Sequence, residues 1–150
     1  MTDWTRNILD DDESIRDMLR TVRRIAVLGI KPESRHAKPA HYVPAYLQRA
    51  GLEIVPVPVY YPEIDEILGE RVYRRLADIP GEIDLVDVFR KPGDIPPHLP
   101  DLLEKMPKAV WFQSGIRNDE AAETLARAGI RVVQDRCLMV EHRKISGREA

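Results

Sequence analysis

The chain has 150 residues, a length typical of one domain with its own hydrophobic core. Its 23 basic and 25 acidic residues give a formal net charge of -2, which disfavours a general nucleic-acid binder with its basic excess or stripe. There is no apolar run of about 18 residues, and the single cysteine, Cys137, cannot form an internal disulfide, so we expect no membrane partner and a cytoplasmic protein.

The first third of the sequence predicts a helix, a buried strand and a second helix. Residues 1–12 are predicted to be a flexible lead, and apolar residues at helical spacing predict an amphipathic helix over 13–22. The apolar run 25–28 does not alternate, which is typical of a strand covered on both faces in a parallel sheet. Helical spacing then begins at Pro39 and ends before Gly51.

The turn between this strand and the second helix predicts an anion site. Gly29 follows the strand, and the free backbone N–H groups of such a turn and of a helix N-terminus favour a phosphate. Lys31, Arg35 and Lys38 add positive charge to the loop. The dinucleotide fingerprint G-x-G-x-x-G is absent, because the loop contains Gly29 alone. In the alternative interpretation, Gly29 only turns the chain and the cations form a solvated surface.

The rest of the sequence predicts strands that alternate with helices. The further strands are predicted at residues 53–59, 84–89, 109–113 and 130–133. The further helices are predicted at residues 99–106, 119–128 and 137–145, with turns and one short helix within 60–80. This order predicts an α/β fold, an open parallel sheet of about five strands with helices on both faces.

Ligands of open parallel sheets bind beyond the carboxyl ends of the strands, near the point where the strand order reverses. The predicted site is therefore made of the segments that follow the strands, which are residues 29–38, 57–61, 89–91 and 113–117.

Several motifs in a fixed order resemble those of the small free-standing CoA-binding proteins. They are PAHYVPAYL after the glycine turn, GLEIVPV, ILGERVY, LADIP, IDLVDVFR, AVWFQSGI and VVQDRCLMVEH, and together they span about residues 24–142. The resemblance implies a Rossmann-like fold similar to the CoA-binding domain of the succinyl-CoA synthetase alpha subunit. It also implies a small-molecule nucleotide cofactor, coenzyme A or an acyl-CoA.

The resemblance assigns parts of this ligand to residues of the chain. For the CoA diphosphate it implies Gly29, Ile30, Lys31 and Pro39. Many relatives carry a basic residue after the second strand for the 3'-phosphate, and here Ser34, Arg35 and Lys38 would replace it. For the adenosine it implies Val57, Pro58, Phe89 and Arg90, and for the far wall toward the pantetheine arm it implies Gln113 and Gly115. Tyr60 adds an aromatic ring that can hold a ligand.

Two other functions stay open. An NAD(H)-binding redox sensor or oxidoreductase usually has a carboxylate at the end of the second strand, where this chain has Val57, Val59 and Tyr60. The second is an interaction module that has lost the ligand. The sequence shows no catalytic constellation and no metal-ligand spacing, and it leaves a homodimer open. Cys137 is predicted to be a buried structural thiol and His41 a polar residue at the rim of the site.

Overall fold

The computed structural model describes residues 3–146, which form a parallel sheet between two layers of helices. The strands are β1 (Arg24–Leu28), β2 (Glu53–Val57), β3 (Glu66–Ile67), β4 (Glu70–Arg71), β5 (Leu85–Val88), β6 (Ala109–Phe112) and β7 (Arg131–Val133). The helices are α1 (Asp12–Leu19), α2 (Pro39–Arg49), α3 (Leu99–Lys105), α4 (Asp119–Arg127) and α5 (Leu138–Ser146). Short 3-10 helices lie at Trp4–Asn7, Glu33–Arg35, Leu76–Asp78, Pro92–Asp94 and Pro96–His98.

The sheet has five parallel strands in the order β2-β1-β5-β6-β7, as the alternation of strands and helices predicts. The chain first passes from β1 outward to β2 and then returns to the other side of β1 to form β5. The strand order therefore reverses between β1 and β5. The backbone N–H of Phe89 donates to Leu28 O over 2.9 Å, so the pairing of β1 and β5 continues just past their carboxyl ends.

Both faces of the sheet are covered, which explains why its strands are continuously apolar. In β1, Ala26 and Leu28 pack into one cluster, which includes the inner sides of α3 and α4. Ile25 and Val27 pack into the opposite cluster with α1, α2 and α5. The prediction of helices on both faces is thus confirmed. In the part of the chain that the structure describes, no helix is long and apolar enough to cross a membrane.

The N-terminal segment differs from the predicted flexible lead. Its first two residues lie outside the described part of the chain, but Trp4–Asn7 forms a 3-10 helix and Leu9 N donates to Val132 O over 2.8 Å. Arg136 stabilises the end of this segment, since it donates to Asp12 Oδ1 and to Asp10 O over 2.8 Å each. These contacts come from residues more than 100 positions away, so local sequence could not indicate them.

The region after β2 contains a hairpin that the sequence did not predict. Strands β3 and β4 pair antiparallel through the turn at Leu68 and Gly69. Leu68 N donates to Glu33 Oε2 over 2.7 Å, and Gln48 Nε2 donates to Leu68 O over 2.9 Å. The hairpin is therefore attached to α2 and to the loop that precedes it.

Candidate functional site

The carboxyl ends of β1, β2, β5 and β6 surround a crevice with two lobes. The β2 lobe, of about 340 Å³, is lined by Gly29, Ile30, Lys31, Val59, Tyr60, Tyr61, Phe89, Arg90, Lys91 and Asp94. The β6 lobe, of about 570 Å³, is lined by Lys31, Lys38, Pro39, Ala40, Tyr42, Phe89, Arg90, Lys91, Pro92, Gln113, Ser114, Gly115, Ile116 and Cys137. The lobes share Lys31, Phe89, Arg90 and Lys91, and we call this shared boundary the junction.

The base of the crevice depends on Gly29. Its φ is +89°, and a Cβ at this position would lie 2.4 Å from Phe89 O, a distance that no real Cβ contact reaches. Gly29 N also donates to Val57 O over 2.9 Å. A glycine is therefore required for β1 and β5 to end this close together.

The turn after Gly29 is braced by the protein itself more than the sequence suggested. Lys31 N donates to Ala40 O over 3.1 Å, so neither Gly29 nor Lys31 offers a free amide. His41, only 6% exposed, has Nδ1 2.9 Å from Lys31 O. Because a carbonyl only accepts, Nδ1 is the protonated nitrogen of His41. His41 thus supports the turn from inside and does not lie at the rim as predicted.

Positive charge dominates the crevice. Lys31, Lys38 and Lys91 make no ion pair with any described residue, and Asp94 is the one carboxylate among the described lining residues. That carboxylate lies 3.9 Å from Arg90, and its charge is partly balanced there. The excess of cations makes the junction attractive to an anionic group.

Arg90 is held from several sides. Its Nε donates to His98 Nε2 over 3.2 Å, and its guanidinium lies over the ring of Tyr60, 5.6 Å from the centroid. Burial, followed by the charge of Arg90, lowers the pKa of His98 below its ordinary value. A neutral His98 is the form that can accept from arginine.

The wall at the end of β6 is fixed by hydrogen bonds to the C-terminal part of the chain. Gln113, 4% exposed, accepts from Leu138 N through Oε1 over 3.0 Å and so caps the start of α5. Gly115 N donates to Asp135 Oδ1 over 2.6 Å. Cys137, predicted to be buried, is half-exposed and lines the β6 lobe.

Most of the residues assigned from the sequence lie in the crevice. Those that line a lobe are Gly29, Ile30, Lys31, Lys38, Pro39, Tyr60, Phe89, Arg90, Gln113 and Gly115. Four others line neither lobe: Ser34 and Arg35 are exposed on the 3-10 helix Glu33–Arg35, and Val57 and Pro58 are buried. Tyr61 and Lys91 also line the crevice; they lie in the predicted segments 57–61 and 89–91 but were not assigned to a part of the ligand. Asp94 and Cys137 line it as well, and both lie outside every predicted segment.

Residues 3–146 contain no group of three or more His, Cys, Asp or Glu side chains that could hold a metal ion.

The family of the chain follows from a comparison with known proteins. A family model described as a CoA binding domain matches residues 23–143. The chain belongs to this CoA-binding-domain family. Its similarity extends to YneT, an uncharacterised protein of Bacillus subtilis strain 168, with 38% identity over 128 residues that cover 85% of this chain and 91% of YneT.

Solved structures of similar proteins confirm the fold of this family member. A protein from Thermus thermophilus is 42% identical with a TM-score of 0.82, and the match covers 91% of this chain and 99% of that one. A hypothetical protein from Pyrococcus horikoshii OT3 is 35% identical with a TM-score of 0.79, covering 90% of this chain and 92% of that one. The Rossmann-like α/β fold and the resemblance to CoA-binding proteins are thus confirmed.

Proposed function

We propose that this member of the CoA-binding-domain family binds coenzyme A or an acyl-CoA in the two-lobed crevice. The diphosphate would lie at the junction, the adenosine in the β2 lobe and the pantetheine arm in the β6 lobe. The observation that carries the proposal is the junction itself, where Lys31, Arg90 and Lys91 stand between two cavities. An elongated ligand with an anionic middle matches this distribution of charge.

The chemistry of each lobe supports this direction of the ligand. The β2 lobe has the Tyr60 ring with the Arg90 guanidinium above it, a surface on which an adenine can stack. The β6 lobe combines apolar side chains such as Phe89 and Ile116 with the amide of Gln113. Because Oε1 of Gln113 is occupied by Leu138 N, its Nε2 is left to donate to a carbonyl of the pantetheine arm.

A nicotinamide dinucleotide suits the β2 lobe less well. Recognition of the ribose in such ligands usually needs a carboxylate after the second strand. The one carboxylate that lines this lobe, Asp94, follows β5 and faces Arg90 at 3.9 Å.

Dimerisation and a cytoplasmic location stay predictions. Sedimentation of the purified chain tests whether it forms a dimer.

Calorimetric titration with CoA, dephospho-CoA, NAD and NADH tests the proposal. We expect CoA to bind and NAD and NADH to give no measurable heat. Binding of NADH without binding of CoA would favour the redox interpretation. Absence of binding by all four ligands would favour an interaction module.

Two cations of the same loop provide a sharper test. Lys31 lines both lobes at the junction, whereas Arg35 lies on the exposed 3-10 helix and lines neither lobe. A charge-assisted phosphate contact contributes about 1.5–3 kcal/mol, so we expect Lys31→Ala to weaken CoA about 10- to 100-fold. Arg35→Ala is the matched control and should leave the dissociation constant nearly unchanged. Equal losses in the two variants would contradict a phosphate contact of Lys31 at the junction.

A further inference from the structure

The contact between Arg90 and His98 defines the protonation of both side chains. The Arg90 side chain is 14% exposed, and its Nε lies 3.2 Å from His98 Nε2. Arginine stays protonated in proteins and every one of its nitrogens is a donor, so His98 Nε2 must accept. The proton of the neutral His98 ring is therefore on Nδ1.

We propose that His98 is a positioning residue, which accepts the Nε–H of Arg90 and so orients this guanidinium toward the anionic part of the ligand. The inference rests on the proposed function, because the ligand it concerns is a nucleotide diphosphate at the junction. The other polar contacts of Arg90 are longer, at 3.5 Å to the Tyr60 hydroxyl and 3.9 Å to Asp94. With Nε bound to His98, the two terminal nitrogens remain available for phosphate oxygens.

The local fold places His98 firmly. It ends the 3-10 helix Pro96–His98, in which two prolines have their φ fixed by the ring. His98 N donates to Ile95 O over 2.8 Å, and Ile95 is fully buried in the core beside α3. The backbone of His98 is therefore held in place, and the longer Arg90 side chain orients toward His98 Nε2.

Protonation of His98 would remove the acceptor and put two cations in contact. The charged groups that act on His98 are Arg90, Asp101 and Asp94. The Asp101 carboxylate accepts from Leu76 N and Ala77 N, and the Asp94 carboxylate faces Arg90. Burial and Arg90 keep the pKa of His98 low, so the neutral form prevails at neutral pH and is lost as the solution is acidified.

The test is a titration of dephospho-CoA into three proteins from about pH 8 down to about pH 4.5, because the pKa of His98 lies below the ordinary histidine value of about 6.5. Dephospho-CoA lacks the 3'-phosphate monoester, so its phosphates do not titrate in this range. The variants are His98→Gln, whose Oε1 can still accept from Arg90, and His98→Leu, which cannot. The wild type should lose affinity toward acidic pH, and His98→Gln should bind as tightly at neutral pH with a flat profile.

We expect His98→Leu to bind about tenfold more weakly than the wild type at neutral pH, the effect of losing one charge-assisted hydrogen bond. Wild-type affinity in His98→Leu, or the same pH profile in His98→Gln and the wild type, would overturn the inference. Should His98→Leu fail to fold, the profile of His98→Gln decides alone. Should the wild type bind no nucleotide, the proposed function fails. Nitrogen NMR of His98 then tests its contact with Arg90 separately, because that contact requires the ring proton to be on Nδ1.

Discussion

At the scale of single residues, the conformation of Gly29 sets how closely β1 and β5 approach. Its positive φ alone would strain any other residue, but the nearness of Phe89 O adds a second cost. Gly51, just after α2, separates the two effects. It has a φ of +102° and no atom within 4 Å of an added Cβ.

Gly29→Ala should therefore cost more stability than Gly51→Ala. We expect Gly51→Ala to lower the free energy of unfolding by about 1–2 kcal/mol, the cost of a left-handed conformation. Gly29→Ala should lower it by a further 1–3 kcal/mol or so, because the backbone at Phe89 must shift. Urea unfolding measures both values. Equal losses would show that the contact with Phe89 is relieved without cost.

The sequence identified the segments of the site better than the individual side chains. Lys38 and Arg35 are both cations of the loop before α2, yet only Lys38 lines a lobe. The difference arises because the 3-10 helix Glu33–Arg35 rotates Arg35 outward, and local residue types do not determine that rotation. Val57 shows the converse: it lies in the predicted second strand, residues 53–59, and ends β2 in the structure, but its side chain packs into the core.

At the scale of elements, the loop after β2 owes its shape to Arg74. The guanidinium donates to Tyr60 O, Tyr61 O and Ile64 O over 3.1, 2.8 and 2.6 Å. Tyr61 has a φ of +64°, a conformation that needs such support. Tyr60 and Tyr61 both line the β2 lobe, so Arg74 shapes this lobe without lining it.

Arg74→Lys should loosen this loop. A lysine cannot reproduce the planar fork that reaches three carbonyls, so we expect a loss of about 1–2 kcal/mol in the free energy of unfolding. Amide exchange of Ile64, which donates to Tyr61 O, should become faster, and CoA should bind more weakly. The matched control is Arg71→Lys, since Arg71 lies over the Tyr73 ring at 4.9 Å and a lysine keeps that interaction. Unchanged exchange at Ile64 in Arg74→Lys would contradict the role of Arg74.

Elements that form through contacts between residues close in the sequence were predicted, and elements that depend on residues distant in the sequence were not. The strands of the sheet and α4 were predicted because apolar runs and caps such as Asn118, which accepts from Ala121 N, are local signals. The hairpin of β3 and β4 and the N-terminal 3-10 helix were not. Their strands and turns are very short, and both depend on distant partners, Glu33 for the hairpin and Val132 for the N-terminal segment.

At the scale of the whole molecule, two carboxylates near β5 act on stability in opposite directions. Asp87 is fully buried between Val27 and Trp111 of the neighbouring strands, and neither carboxyl oxygen has a hydrogen-bond partner among residues 3–146. Burial raises its pKa well above the ordinary value. Burial is the largest single effect on Asp84 and raises its pKa, but hydrogen bonds from Arg23 N and Arg24 N, together with the neighbouring Lys108, outweigh it and lower the pKa of Asp84.

These pKa shifts predict that the two residues make the free energy of unfolding depend on pH in opposite directions. Above about pH 3.9 the unfolded chain ionises Asp87 while the folded protein keeps it protonated, so this residue makes stability fall as pH rises toward its folded pKa. Asp87→Asn should therefore gain stability over the wild type as pH increases, by up to about 1.4 kcal/mol per pH unit. Asp84→Asn should be less stable than the wild type at neutral pH and lose that deficit in acid, because the ionised Asp84 stabilises the fold. Urea unfolding at several pH values measures both. A pH-independent difference between Asp87→Asn and the wild type would mean that Asp87 ionises equally in the folded and unfolded chain, and that the centre of the sheet admits a charge.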